Sequence, residues 1–295
     1  EFSQHTNKST GMMTLVATSN HIYLPVLNEL MLRMRVQFTT KLMETGDEYE
    51  DDEHVIEIEQ DGFLRPFKTA AVLWPSGYLL AQCLADLDHC GIAQDTTDLL
   101  NETTVTLELG AGVGAASIVL AKRLQMEQHR RHNRKSSQLS TFSVLATDRE
   151  LGALALTKAN SLAANVNVTS LQLDHYNMSQ VRELANTFML HQKSQRLLVL
   201  GSSLEGLFDG TTDNPHHTLW TILRTLNPSV AIFSHSIGSL PPPIYEDDDM
   251  ASTIGDDAFV LVQTIPGVRL GVYARSSNTQ SSDFEISVFV RRRAT

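Results

Sequence analysis

Two rhythms of apolar residues run along this chain, and each change of rhythm marks a new element. In residues 21–45, Leu24, Leu27, Leu30, Met31, Met34 and Phe38 fall near helical spacing and predict a helix. Val55-Ile56-Glu57-Ile58 predicts a short strand that ends at the turn Gln60-Asp61-Gly62. From about residue 69 helix and strand alternate. A helix follows Trp74-Pro75-Ser76-Gly77 and carries Leu79, Leu80, Cys83, Leu84 and Leu87. Strands are predicted at 105–109, 142–147, 168–173, 196–201 and 230–233, with helices at 115–124, 151–164, 178–190 and 215–226 between them.

Such alternation with short connections implies right-handed crossovers and an open parallel sheet, an α/β fold. Residues 258–263, 268–274 and 284–290 read as further strands with no long helix between the last two, an antiparallel addition at one edge. Residues 1–64 form an N-terminal region of helix, acidic loop and short strand, and residues 65–295 form the main domain. Seven acids at positions 44–53 predict a solvated loop, or a lure for a basic substrate. His129–Lys135 is basic and lengthens one helix-to-strand connection, so it reads as an exposed insertion.

Composition narrows the function. The chain of 295 residues is 42% hydrophobic and 19% charged, which is globular, and its net charge is −11. That balance disfavours nucleic acid, which needs cations against phosphate, and suits a basic protein partner. No apolar run is long enough to span a membrane, so no membrane partner is expected. Cys83 and Cys90 are the only cysteines; neither a disulfide framework nor a paired-cysteine zinc site is expected, and no metal. A reducing compartment follows, cytoplasmic or nuclear.

The chemistry concentrates at strand tips. Glu108-Leu109-Gly110-Ala111-Gly112-Val113-Gly114 follows an apolar strand and opens a helix. Glycines there let the backbone turn sharply against a ligand, and the helix start offers free N–H groups. Asp148 ends the next strand, where a carboxylate can accept both hydroxyls of a ribose. Leu173-Asp174-His175 ends the third, where a carboxylate could accept an adenine amino group; alone, Asp174 reads as a loop cap. Polar groups at the carboxyl edge are where open α/β sheets bind ligands. The GxGxG spacing lacks the third glycine of the dinucleotide fingerprint, so NAD is not expected.

These residues resemble the seven-strand S-adenosylmethionine-dependent methyltransferases, whose pattern is ExGxGxG followed by a strand-end acid. More narrowly, Val72-Leu73-Trp74-Pro75-Ser76-Gly77-Tyr78-Leu79-Leu80-Ala81 is similar to the WPSG/LA helix of the lysine methyltransferase-like family 16. The resemblance covers roughly residues 65–240. It implies a Rossmann-like class I methyltransferase fold, with a mostly parallel seven-stranded sheet and an antiparallel C-terminal edge, and S-adenosyl-L-methionine as cofactor. It places Trp74, Glu108, Gly110, Ala111, Gly112, Asp148, Asp174, His175 and Ser202 around that cofactor. His175 stands where the family often has Trp, and could offer adenine a flat face.

After the fourth strand the family carries a (D/E)xx(Y/F) stretch. Here Gly201-Ser202-Ser203-Leu204-Glu205-Gly206-Leu207-Phe208 satisfies it in a shifted register, with Glu205 and Phe208 as the catalytic pair. Transfer to a protein lysine is the activity implied. Transfer to a protein histidine or a small molecule, and a catalytically silent cofactor-binding interaction module, are the alternatives.

Overall fold

The structure, a computed structural model, describes residues 17–21, 32–40, 54–61, 70, 73–101, 104–133, 142–191, 196–202, 204, 215–237, 259–267 and 284–291. The acids at 44–53, the strand expected at 268–274, and Glu205 and Phe208 lie outside these residues.

Three antiparallel strands form a first sheet, β1 (Ala17–His21), β2 (Leu32–Thr40) and β3 (His54–Asp61), in that order. The helix expected over 21–45 is therefore corrected, since Leu32–Thr40 is a strand paired along its length with His54–Asp61. Its sequence, LRMRVQFTT, alternates apolar and polar at strict period two. Met34 and Phe38 satisfy both a four-residue helical step and a two-residue strand step, which is why helical spacing misled. Val55–Ile58 is a strand as expected, within β3.

Each remaining element predicted from about residue 69 is present wherever it falls among the described residues. The helices are α1 (Pro75–Ala85), α2 (Leu87–Cys90), α3 (Gln94–Asn101), α4 (Ala115–Asn133), α5 (Leu151–Ala163), α6 (Met178–His191) and α7 (Pro215–Leu226). The strands are β4 (Val105–Leu109), β5 (Ser143–Asp148), β6 (Thr169–Gln172), β7 (Leu197–Ser202), β8 (Val230–Ser236), β9 (Phe259–Pro266) and β10 (Phe284–Arg291). Their order in the second sheet is β6-β5-β4-β7-β8-β10-β9. Pairing is parallel from β6 through β8 and antiparallel for β10 against both β8 and β9. This is the expected arrangement, a Rossmann-like, mostly parallel seven-stranded sheet with a reversed strand inserted near its C-terminal edge. The chain order changes direction between β4 and β7, so the tips of β4, β5 and β7 border the crevice where such sheets take ligands.

Two apolar layers cover the sheet. One joins Leu198, Leu200, Val230, Ile232 and Val288 to α1 and α4; the other joins Leu107, Val199, Ala231 and Phe289 to α6 and α7. Helix α1 contains no charged residue and is buried from Ser76 through Ala85, so it is an embedded helix and not a surface one. Pro75 starts it, where its missing N–H costs nothing. Ile58 of β3 is fully buried in the same apolar cluster as α1 and α4, which ties the small sheet to that layer.

Two further expectations change. The basic stretch is not a simple insertion, because α4 runs on to Asn133 and so takes in His129–Asn133; His129 is exposed and its Nδ1 lies 2.7 Å from the Gln125 carbonyl. The cysteines are not free thiols. A bridge joins Cys83 of α1 to Cys90 of α2, both fully buried, because the chain doubles back at Asp86 and brings their Cα atoms to 5.0 Å. The expected reducing compartment drew on free thiols, which these are not. Among the described residues no helix is long and apolar enough to cross a membrane.

The antiparallel edge holds a buried polar cluster. His235 of β8 is 2% exposed. Its Nδ1 lies 2.9 Å from the Ser236 carbonyl and its Nε2 2.9 Å from Ser287 Oγ on β10. A carbonyl only accepts, so Nδ1 carries the proton and Ser287 donates to Nε2. Ser287→Ala removes this buried hydrogen bond and should cost about 0.5–1.5 kcal/mol. Urea unfolding that leaves Ser287→Ala as stable as the parent would contradict this bonding.

Candidate cofactor site

The carboxyl edge is built from the glycine turn outward. Gly112 (φ +56°) and Gly114 (φ +80°) have left-handed backbone, and space excludes a side chain as well. A Cβ on Gly112 would lie 2.9 Å from the Ala70 carbonyl oxygen, and one on Gly114 would lie 2.5 Å from Thr157 Cγ2. The turn is bound to its surroundings at every step. Ala111 N–H donates to the Thr147 carbonyl (2.8 Å), and Gly112 N–H to Asp148 Oδ2 (3.0 Å). Thr157 Oγ1 donates to the Gly112 carbonyl (2.8 Å), and Asn160 Nδ2 to the Val113 carbonyl (3.0 Å).

Thr157 and Asn160 brace the turn from α5 and were missed in the sequence. Both are buried, 0% and 2% exposed, on the face that also buries Ala153 and Leu154. Their signal is polar side chains set at helical spacing in an otherwise apolar stripe.

Asp148 sits at the tip of β5 and is 6% exposed. Besides Gly112 N–H it accepts Glu150 N–H at Oδ1 (2.9 Å). Burial raises its pKa above the ordinary carboxylate value; the two N–H donors and Arg149 oppose the rise, and Glu150 adds to it. Glu108 lies beneath the turn, 2% exposed, and its Oε2 accepts Ser117 N–H (3.0 Å) in the first turn of α4. Burial pushes its pKa up to about 7; bonding with Ser117 pulls it down and the Asp148 charge pushes it further up.

The third tip is arranged differently from expectation. Asp174 is half-buried and acts on its own loop: its Oδ1 accepts Tyr176 N–H (3.1 Å), and its N–H donates to Gln180 Oε1 (2.9 Å). His175 is 4% exposed, and one ring neighbour is already taken, since the Tyr176 ring lies 4.7 Å away at 33°. Its Nε2 is buried without a hydrogen-bond partner among the described residues. Burial lowers its pKa to about 4, Asp174 opposing and Arg149 reinforcing, so the ring is neutral at physiological pH. A cleft of about 880 Å³ opens at the β5 and β6 tips, lined by Arg149, Glu150, Leu173, Asp174 and Gln180 among others.

On the other side of the turn, α1 begins over the tip of β7. A Cβ on Gly77 would lie 3.2 Å from Ser202 Oγ, so glycine lets the helix approach that strand end. Trp74, the residue that caps α1, is 43% exposed, the opposite of ordinary core packing. The structure thus brings Trp74, Glu108, Gly110, Ala111, Gly112, Asp148, Asp174, His175 and Ser202 to one edge of the sheet. Glu205 and Phe208 follow Ser202 in sequence, outside the described residues.

These residues fit an S-adenosyl group on structural grounds. The turn is a cradle that a Cβ would fill, the start of α4 lies beside it, and the buried Asp148 carboxylate is bonded to the turn at Gly112 N–H, with no arginine or lysine paired to it among the described residues.

No family model matches the chain, and no curated protein matches its sequence. Solved structures do match in arrangement. The Pyrococcus abyssi tRNA (uracil-54, C5)-methyltransferase in complex with S-adenosyl-L-homocysteine is 11% identical, at TM-score 0.39, over 79% of this chain and 41% of that one. The precorrin 8w decarboxylase of Methanobacterium thermoautotrophicum is 14% identical, at TM-score 0.35, over 67% and 90%. The 16S rRNA methylase ArmA is 9% identical, at TM-score 0.36, over 74% and 91%. This chain therefore spans less than half the length of the first. At such overlap these likenesses carry no activity across, and the fold rests on the strand order itself.

The two perturbed groups have opposite effects on stability. Glu108 titrates higher in the folded chain, so its contribution is greatest below about pH 4.5 and is lost as pH rises to about 7. His175 titrates lower when folded, so its contribution is present above about pH 6.5 and is lost as pH falls to about 4. In the window they share, the two offset each other. His175→Phe keeps a ring beside Tyr176 and removes the titration. Its melting temperature should fall less between pH 6.5 and 4.5 than the parent's. Parallel profiles for the two proteins would refute a buried neutral His175.

Proposed function

We propose that this chain is an S-adenosylmethionine-dependent methyltransferase that transfers a methyl group to a protein side-chain nitrogen, lysine first. The observation that carries the cofactor is the glycine turn tied by Gly112 N–H to the Asp148 carboxylate at the neighbouring strand tip. What favours a protein acceptor is the WPSG helix resemblance together with a net charge of −11, which repels a polyphosphate backbone and attracts a basic segment.

When bound, S-adenosylmethionine supplies a methyl group already activated by a cationic sulfur. The chain's work is then binding and alignment. Backbone N–H groups at the start of α4 hold the amino-acid end against the Gly110–Gly112 turn, whose Ala111 and Gly112 N–H groups are themselves bonded to Thr147 and Asp148. Each Asp148 oxygen receives one backbone N–H and keeps lone-pair capacity for ribose hydroxyls. Asp174 and His175 border the adenine end, and for His175 the unpaired Nε2 is the better contact than its face. Trp74 and Ser202 flank the transfer side.

A lysine amine is protonated at neutral pH, with an ordinary pKa of about 10.4, and must lose that proton before it can attack. An apolar wall and a neighbouring positive charge both favour the neutral amine. In this reading Glu205 orients the amine and Phe208 walls its alkyl stem.

Calorimetric titration with S-adenosylhomocysteine tests the cofactor. Saturable binding is expected, and Asp148→Asn should weaken it by about 1.5–3 kcal/mol, the scale of a lost charge-assisted hydrogen bond. No heat and no thermal shift with the unmutated protein would reject the reading. Methyl-labelled cofactor added to a cell lysate tests the acceptor. Label on protein lysine is the expected outcome, and label confined to the RNA fraction would reject it.

A further inference from the structure

The cleft at the β5 and β6 tips reaches past the cofactor site. Its described lining includes no residue of the glycine turn, and neither Glu108 nor Asp148. One wall is a single stripe of α6, where Gln180, Glu183, Leu184 and Thr187 recur at helical spacing over roughly 10 Å. Its floor holds Leu171 and Leu173, and Leu171 is 37% exposed. Asp174 stands at the end nearest the adenine.

The sheet ends along this groove. β6 is the outermost strand and pairs with β5 alone among the described strands. Leu173 N–H donates to the Asp148 carbonyl (3.0 Å), so the backbone groups of Leu173 and Leu171 point toward β5. Alternation along the strand then turns the N–H and C=O of Ser170 and Gln172 to the open edge. Backbone groups in that position take up a further strand.

Charge selects what such a strand carries. Glu150, Asp174 and Glu183 line the groove against one cation, Arg149. Arg149 lies 3.7 Å from Glu150, and the two offset each other at the surface. Asp174 and Glu183 have no ion pair among the described residues. A lysine suits both features of the groove: its alkyl stem lies on Leu171 and Leu184 while its ammonium reaches Glu183.

We propose that this groove docks an extended, lysine-bearing segment of the protein acceptor, paired by its backbone with the free edge of β6. The inference rests on the reading of a protein acceptor and adds where that protein is held. β6 stands three strands from β7, about 14 Å at the usual strand spacing. An extended chain covers that distance in about four or five residues. The docked segment is therefore distinct from the lysine that receives the methyl group, and the groove selects acceptors by the sequence flanking their target.

A dye-labelled, end-capped peptide of alternating lysine and threonine, titrated with the full chain and followed by fluorescence anisotropy, tests the docking. It should bind saturably, and the matching glutamate–threonine peptide should not. Methylating only the lysine backbone nitrogens, or only the threonine ones, gives two further peptides. One should bind about tenfold more weakly than the other, because a single set of N–H groups faces β6. Glu183→Arg and Leu171→Arg should each weaken the parent peptide about tenfold by placing a like charge in the groove. Both positions are exposed and outside the cofactor site, so S-adenosylhomocysteine binding should be unchanged. Equal peptide binding by the parent protein and Glu183→Arg, or equal binding of the two methylated peptides, would overturn the groove. So would a dimer in sedimentation that Leu171→Arg dissolves while no peptide binds, since a second copy would then own the edge. With label on protein lysine in the lysate, either result overturns the docking alone. Label confined to the RNA fraction would overturn the acceptor reading and the docked segment with it.

Discussion

The hydrogen bond from Gly112 N–H to Asp148 Oδ2 joins two parts of the chain that the fold must bring together before any site exists. It needs β4 and β5 side by side and parallel, with Leu109 opposite Thr147, so that the turn and the acid leave the sheet at the same height. It needs left-handed backbone at Gly112, and no room for a side chain against the Ala70 carbonyl. It needs the turn held from behind, which Thr157 and Asn160 of α5 do through the Gly112 and Val113 carbonyls. The site is therefore a property of β4, β5 and α5 locked together and not of a loop alone.

Burial gives those polar residues their chemical character. A glutamate at the surface would be ionised at neutral pH; under the turn, Glu108 is poised near 7. A surface histidine would titrate near neutrality; His175, closed in beside Tyr176, stays neutral down to about 4. The same apolar packing that stabilises the sheet thus makes one acid responsive at physiological pH and one imidazole unresponsive.

Much of this was legible in the sequence because periodicity and punctuation agreed. The run from β4 through β8 alternates cleanly, and α7 spans Pro215–Leu226, as its spacing predicts. The turn and Asp148 were legible because glycine spacing and a strand-end acid carry a local physical reason. The failures also have reasons. β2 was read as helix because residues four apart satisfy both periods. The Cys83–Cys90 bridge depends on how α1 turns into α2, which two cysteines in a row of apolar residues do not announce. The His235–Ser287 cluster depends on the antiparallel register of β10 against β8, a relation between residues that are 52 apart. Burial of Glu108 and His175 could not be read from residue type alone.

A crystal structure with S-adenosylhomocysteine tests the central claim most directly. The account predicts the amino-acid end at Gly110–Gly112 and the start of α4, ribose hydroxyls on Asp148, and the adenine between the β5 and β6 tips near His175. The thioether should face Trp74 and Ser202. Ligand bound elsewhere, or ribose placed away from Asp148 with the glycine turn untouched, would contradict it.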